Sequence, residues 1–316
     1  MLTGPESKQR ARQWPYPRHR SFERELRRTA AEWFRAKGYP THRRFPFILD
    51  DWNNWSHNIV LPDVAAYVES ERQIRQDSGD GFPLHKYIHH GLSSQAMLFN
   101  LLGPLVLRND FGPLQEVVEA KGVLWPTGRT TGEFEVEDRS VFNENYGQPT
   151  SVDFVVRGES GPTLYVEGKL VESGFGVCSV FADGDCDGRN PIDDLAACYL
   201  HHIGRLYWHR LAEHGLHGLA TGPVCPMTLY YQFFREVLFA LHMQGNFVLL
   251  HDERNPSFAC DGPMGARGAY ARLAEQVPVE HQSRVACISI QEIVDSVNRC
   301  GRHQDWVDEF RLKYGL

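Results

Sequence analysis

Asp153, Glu167 and Lys169 have the side chains and the spacing to hold a divalent cation and activate water. They fall in residues 150–172, TSVDFVVRGESGPTLYVEGKLVE, which reads as two short apolar strands joined by a Gly/Ser/Pro turn at 157–162. Side chains two apart on a strand share a face, so Glu167 and Lys169 project together with Gly168 between them. Antiparallel pairing across the turn lets Asp153 lie opposite the Glu167 region. Two carboxylates and the Gly168 carbonyl are hard oxygen donors, better suited to Mg2+ or Mn2+ than to zinc. Phosphodiester hydrolysis needs an activated water and charge neutralisation at phosphorus, and such a cation supplies both. The Lys169 ammonium can stabilise developing charge or orient the water. The plainer reading of Glu-x-Lys on a strand is an exposed ion pair.

Other elements must position this hairpin. Residues 92–107, LSSQAMLFNLLGPLVL, predict a buried helix capped by Ser93 or Ser94 and bent or ended near Gly103-Pro104. Gln95 and Asn100 are its polar members. Residues 133–137, EFEVE, alternate: Phe134 and Val136 face one way, and Glu133, Glu135 and Glu137 the other. Beside a metal site, one of these acids could be a ligand. A long helix is expected over 193–211. A cleaner apolar stripe, Tyr230 to Leu241, marks a helix over 229–244. Strands are expected at 246–251 and 284–290. Ser289-x-x-Glu292 predicts a capping box for a helix ending near Cys300. Towards the N-terminus, residues 1–20 read as a mobile basic arm, 21–37 and 63–79 as helices, and 39–62 as a packed irregular loop. This order predicts an α/β fold with an N-terminal helical extension, divided as 1–84 and 85–316.

The formal net charge of −7 argues against coating nucleic acid by charge alone. The charge is uneven, however. Residues 1–45 hold 12 Lys+Arg against 4 Asp+Glu, a balance of +8, which leaves −15 for the rest. Arg24, Arg27, Arg28, Arg35, Arg43 and Arg44 are therefore candidate phosphate contacts, with Arg235 on the aromatic helix as another. Such contacts set affinity and register but read no bases. The seven cysteines are scattered without a C-x-x-C pair and read as reduced thiols. Cys178 and Cys186 flank an Asp/Gly-rich stretch, and a zinc site there would need two more ligands, such as Cys198, His201 or His202. No apolar run reaches the roughly 18 residues of a membrane span, and no secretory leader is visible. A soluble cytoplasmic protein is expected.

The series Asp153…Glu167-Gly168-Lys169, in this order of elements, resembles the PD-(D/E)xK nuclease superfamily, the restriction-endonuclease-like fold. The segments LSSQAMLFNLLGPL, PTSVDFVV, YVEGKLVESGFGVCS and HDERNP together resemble a bacterial group within it, over about residues 85–260. The resemblance implies a central mixed sheet flanked by helices and a metal-dependent nuclease, most readily a DNA endonuclease using Mg2+ or Mn2+. It makes Asp153 and Glu167 metal ligands and Lys169 the catalytic lysine. Such enzymes often add an acid from the core helix, where this chain has Gln95. Glu135 is the substitute candidate, with Gln95 facing a bound water or phosphate. Ser151-Val152-Asp153 stands where the motif has Pro-Asp. Double-stranded DNA is the expected partner, and a homodimer is expected where both strands are cut. An RNA-directed nuclease and a non-catalytic nucleic-acid-binding scaffold are the rival readings.

Overall fold

Five strands form the central sheet in chain order: β1 (Thr131–Asp138), β2 (Thr150–Arg157), β3 (Leu164–Lys169), β4 (Asn246–His251) and β5 (Val285–Ser289). The structure, a computed structural model, describes residues 16–216, 222–259 and 268–316. β1, β2 and β3 form an antiparallel meander, whereas β3–β4 and β4–β5 pair in parallel. Short turns suffice for the meander; the parallel pairs need crossovers, and these carry helices. Every residue of β3 and β4 is buried, as expected for strands covered on both faces.

The main helices are α1 (His19–Ala36), α2 (Pro62–Ser78), α3 (Ser94–Arg108), α4 (Gly112–Ala120), α5 (Tyr207–Glu213), α6 (Met227–His242), α7 (Ile290–Cys300) and α8 (Gln304–Tyr314). On one face of the sheet, α3 packs with α1, α4, α7 and α8 in a core that includes Phe99, Phe134, Phe154, Val166 and Leu250. On the other, α5 and α6 pack over Val155, Tyr165, Phe247 and Leu249. Phe99, Phe134 and Phe154 pack in series, edge-to-face at 5.0 Å and tilted at 4.7 Å between ring centroids, tying α3 to β1 and β2. Truncating one such fully buried ring costs about 3–5 kcal/mol. Gly168 lets α3 come close: a Cβ there would lie 2.6 Å from Leu98 Cδ1.

Ser93 caps α3 by accepting the Ala96 N–H, and the Ser289–Glu292 capping box opens α7 as its spacing predicts. Three expectations are corrected. First, α3 does not end at Gly103-Pro104 but runs through the pair to Arg108, where Asn109 adopts a left-handed conformation. Gly103 packs against Val64 of α2, so the pair serves a helix contact rather than a stop. Second, no long helix spans 193–211. A 3-10 turn at Leu195–Ala197, one helical turn at Tyr199–His202 and α5 replace it. The Asp194 side chain turns the chain by accepting from the Ala196 N–H, and Gly204 has φ +84°. The apolar residues of that stretch lie all around it and form no stripe to bury. Third, the strict alternation of 133–137 breaks at Glu135, which has φ +52°. Phe134 enters one core, while Val136 packs against the other.

The irregular stretch expected over 39–62 contains a small hairpin, Thr41–His42 with Phe45–Leu49, and a 3-10 helix, Trp52–Asn58. Residues 1–15 of the expected basic arm lie outside the described residues.

Candidate active site

Strand register brings the three acids together. Phe134 pairs with Phe154 and Val136 with Val152, so Glu135 falls opposite Asp153. Phe154 pairs with Val166, and the same register carries Asp153 opposite Glu167. Glu135, Asp153 and Glu167 thus occupy one row across three strands. The Gly168 N–H donates to Asp153 Oδ2 at 2.8 Å, which fixes that carboxylate against β3.

Glu135 reaches this row through its unusual backbone. A left-handed conformation at a non-glycine residue within a strand costs on the order of 1 kcal/mol or more. Its carbonyl accepts from Arg75 at 2.8 Å. Its side chain is buried and accepts from Gln95 at 2.7 Å and from the Ser151 hydroxyl at 3.3 Å. Gln95 also donates to the Pro83 carbonyl and accepts from the His85 N–H. Both ends of its amide are therefore engaged, and Gln95 holds Glu135 in place.

Glu167 and Lys169 project from β3 toward α6, both almost fully buried. The Lys169 ammonium donates to Glu167 at 2.5 Å and to Gln232 Oε1 at 2.8 Å. Gln232 donates in turn to Glu167 at 3.2 Å. One turn further along α6, Glu236 is 2% exposed, and no hydrogen-bond donor reaches either of its carboxylate oxygens. The nearest Arg235 nitrogen is 3.7 Å away, and the Glu167 carboxyl faces it.

The electrostatics follow from this crowding. Burial, reinforced by the charges of Glu167 and Glu135, pushes the Asp153 carboxyl well above the usual carboxylate range. Burial raises Glu135 to about 7, with the Gln95 hydrogen bond opposing and Glu167 adding to the shift. Burial, then repulsion from Glu167, raises Glu236 well above normal. Burial alone would depress Lys169, but Glu167, Glu172, Glu236 and Asp153 outweigh it and hold the amine above the ordinary lysine value. Lys169 is accordingly an ammonium in this arrangement and acts as a charge and a donor.

The donor set fits a hard divalent cation. Four carboxylates crowd this space with Lys169 among them and the Arg235 guanidinium 3.7 Å from Glu236, and among the described residues no hydrogen-bond donor reaches the Glu236 oxygens. Such a cluster requires protons or a cation. Asp153, Glu167, Glu135 and Glu236 are the side chains that would hold it. Among the described residues, no three of the four carboxylates have donor atoms within 4.8 Å of one another, so a cation would have to draw them together; the group that does is Glu213, His214 and His242. It lies at the far end of α6, where His242 is six residues past Glu236.

Gln232 and Glu236 are the residues that sequence reasoning missed. Their i, i+4 spacing places them on one helix face, but neither residue type is unusual on an amphipathic helix. Arg235, expected at phosphate, is half-buried with its guanidinium over the Tyr231 ring. Arg27 and Arg28 pair with Glu23 and Glu32 along α1, and Arg24, Arg35, Arg43 and Arg44 are exposed. His251–Pro256 forms a latch. Arg254 binds Asp252 and the Tyr314 and Gly315 carbonyls, and Asn255 donates to the Leu170 and Glu172 carbonyls.

The model of one protein family, described as restriction endonuclease associating with ARP, matches residues 27–315. The chain belongs to this family. The match covers the sheet, both helical layers and the carboxylate row together, so the restriction-endonuclease-like fold applies to the whole assembly. Family membership makes the nuclease class, with nucleic acid as substrate, the functional frame for the site. Nucleases of this kind generally use divalent metals. No curated protein and no solved structure matches the chain.

Proposed function

We propose that this restriction-endonuclease family member is a Mg2+- or Mn2+-dependent endonuclease of the PD-(D/E)xK type that cuts double-stranded DNA. The observation that carries the reading is the row Glu135–Asp153–Glu167 with Lys169 beside it, buried under Gln232 and Glu236. A bound divalent cation supplies charge neutralisation at phosphate and acidifies water. Asp153 and Glu167 would hold it, with the Gly168 N–H and Gln232 keeping their oxygens in place. Lys169, kept cationic by its acidic neighbours, stabilises charge developing on the phosphate. Glu135, held by Gln95 and the Ser151 hydroxyl, completes the carboxylate row beside the cation.

In this proposal residues 1–84 are a basic extension on the nuclease body, 85–316, and Phe22, Leu26, Val64 and Val68 of the extension share a hydrophobic core with that body. The exposed Arg24, Arg43 and Arg44 are offered as phosphate contacts, and cutting of both strands as the work of a homodimer. The family description supports a further element, association of this chain with ARP, which co-purification of the two proteins tests.

The reading is tested by incubating the protein with plasmid, linear double-stranded DNA, single-stranded DNA and RNA, with Mg2+, Mn2+ or EDTA. Cleavage of duplex DNA should require the cation and disappear in Asp153→Ala and Lys169→Ala. Cleavage that survives both substitutions rejects the site. Cleavage of RNA alone favours the RNA-directed nuclease, and metal-independent binding without cleavage favours the scaffold.

A further inference from the structure

We propose that Cys178, Cys186, Cys198 and Cys225 form a second, structural metal site, a four-thiolate zinc centre that braces the segment between β3 and α6. Three observations carry it. All four cysteines line a single cavity of about 320 Å³. None is in a disulfide, and each stands in a loop or at the end of a short helix. Backbone N–H groups converge on the sulfurs: Gly188 N–H donates to Cys186 Sγ at 3.3 Å, Val180 and Phe181 face Cys178, and Met227 faces Cys225. An N–H two residues beyond a cysteine, aimed back at its sulfur, partly neutralises a thiolate and orients it as a ligand.

The segment also needs a brace. From 179 to 206, Gly188 is the one buried residue, and the stretch meets the second core through the half-buried Leu195, Cys198 and Leu200. A loop-rich piece of that length without an apolar interior is commonly held by a metal or by disulfides. Cys225 is brought to the other three by backbone pairing. Its N–H donates to the Gly188 carbonyl at 2.9 Å, beside the Arg189–Val224 bridge. Four sulfurs match the tetrahedral thiolate preference of zinc and not that of Mg2+. No three of these sulfurs yet lie within 4.8 Å of one another, so binding must draw them inward. Cys225 lies just ahead of the helix that carries Gln232 and Glu236, so the centre would steady the α6 side of the active site.

The test is metal analysis of the full-length protein purified without chelator, together with the spectrum after Co2+ replacement. We expect about one zinc per chain, retained against excess Mg2+, and intense sulfur-to-cobalt charge-transfer absorption. Any one of the four Cys→Ser changes should lower the zinc content. Cys300→Ser, His214→Ala with His242→Ala, and Asp153→Asn should leave it unchanged. Because a serine variant can fail to fold, the cobalt spectrum of the unaltered chain stands as an independent measurement. A chain that takes up neither Zn2+ nor Co2+ while its thiols react freely overturns the proposal, as does mass-spectrometric detection of disulfides among these cysteines. Loss of zinc on His214→Ala with His242→Ala would assign the ion to that other cluster and equally overturn it.

Discussion

Gln232 donates to Glu167 at 3.2 Å and accepts from Lys169 at 2.8 Å, so one amide spans both members of the buried ion pair. It ties the active-site strand to α6, and its removal would free both side chains. Gln232→Ala should therefore lower kcat by about 10²-fold, in the range of lost electrostatic preorganisation. KM for DNA should change little, because the Gln232 amide is engaged by Glu167 and Lys169. Gln232→Glu should do worse, since it adds a carboxylate to an acidic pocket. Steady-state kinetics on the two variants check this, and an unchanged kcat in both removes Gln232 from the machinery.

The crowded carboxylates should make the metal-free fold less stable than it could be. Asp153→Asn and Glu236→Gln each replace, with a neutral amide, a carboxyl whose ionisation burial and repulsion disfavour. Each is expected to raise Tm in EDTA by a few degrees, equivalent to roughly 1 kcal/mol or more. Each should also shrink or abolish the rise in Tm that Mg2+ gives the unaltered protein. Thermal melts with and without Mg2+ decide the matter. Equal Mg2+ responses in all three proteins would count against a cation in this pocket.

Glu135 gives the stability a defined pH dependence. Its carboxyl is raised from an ordinary 4.5 to about 7 in the fold. Between these values the native state holds a proton that the unfolded chain has released. Stability of the metal-free protein should therefore fall as pH rises from about 4.5 to about 7, with Asp153 and Glu236 acting in the same direction. In Glu135→Gln the slope should be shallower over that window. Denaturant melts at several pH values in EDTA measure it, and a rising slope there would contradict the placement of Glu135.

Lys313 is a buried amine with no acidic partner among the described residues. Its ammonium donates to the Asn58 carbonyl and lies over the Trp33 ring at 4.7 Å. Burial depresses its pKa well below the lysine value. At neutral pH the unfolded chain holds that proton more tightly, so this residue destabilises the fold, and the penalty lessens as pH rises toward the unfolded value of about 10.4. Lys313→Met keeps the length and removes the charge, and Asn100 still donates to the Asn58 carbonyl. We expect a gain of about 1 kcal/mol or more at pH 7, seen as a higher denaturation midpoint. A loss of stability would show that the ring contact and the hydrogen bond outweigh desolvation.

Much of this chain was legible before folding. Local hydrogen bonding and turn chemistry fix the hairpin of 150–169, the Ser93 cap and the Ser289–Glu292 box, and nearby residues alone decide each of them. The pairing of Glu167 with Lys169 follows from a strand period of two. By contrast, the φ of +52° at Glu135 turns one acid out of a solvent-facing row and into the pocket, and it depends on Gln95 and Arg75 from distant elements. The break-up of 193–211 has the same origin, because no neighbouring surface rewards a continuous helix there. Gln232 and Glu236 became part of the site when α6 crossed the sheet, and Cys225 joined three other cysteines through a bridge spanning dozens of residues. Sequence determined the strands and the chemistry they carry. Tertiary structure alone decided which far-off side chains complete the site, because their approach is set by the packing of helices on the sheet and not by any local pattern.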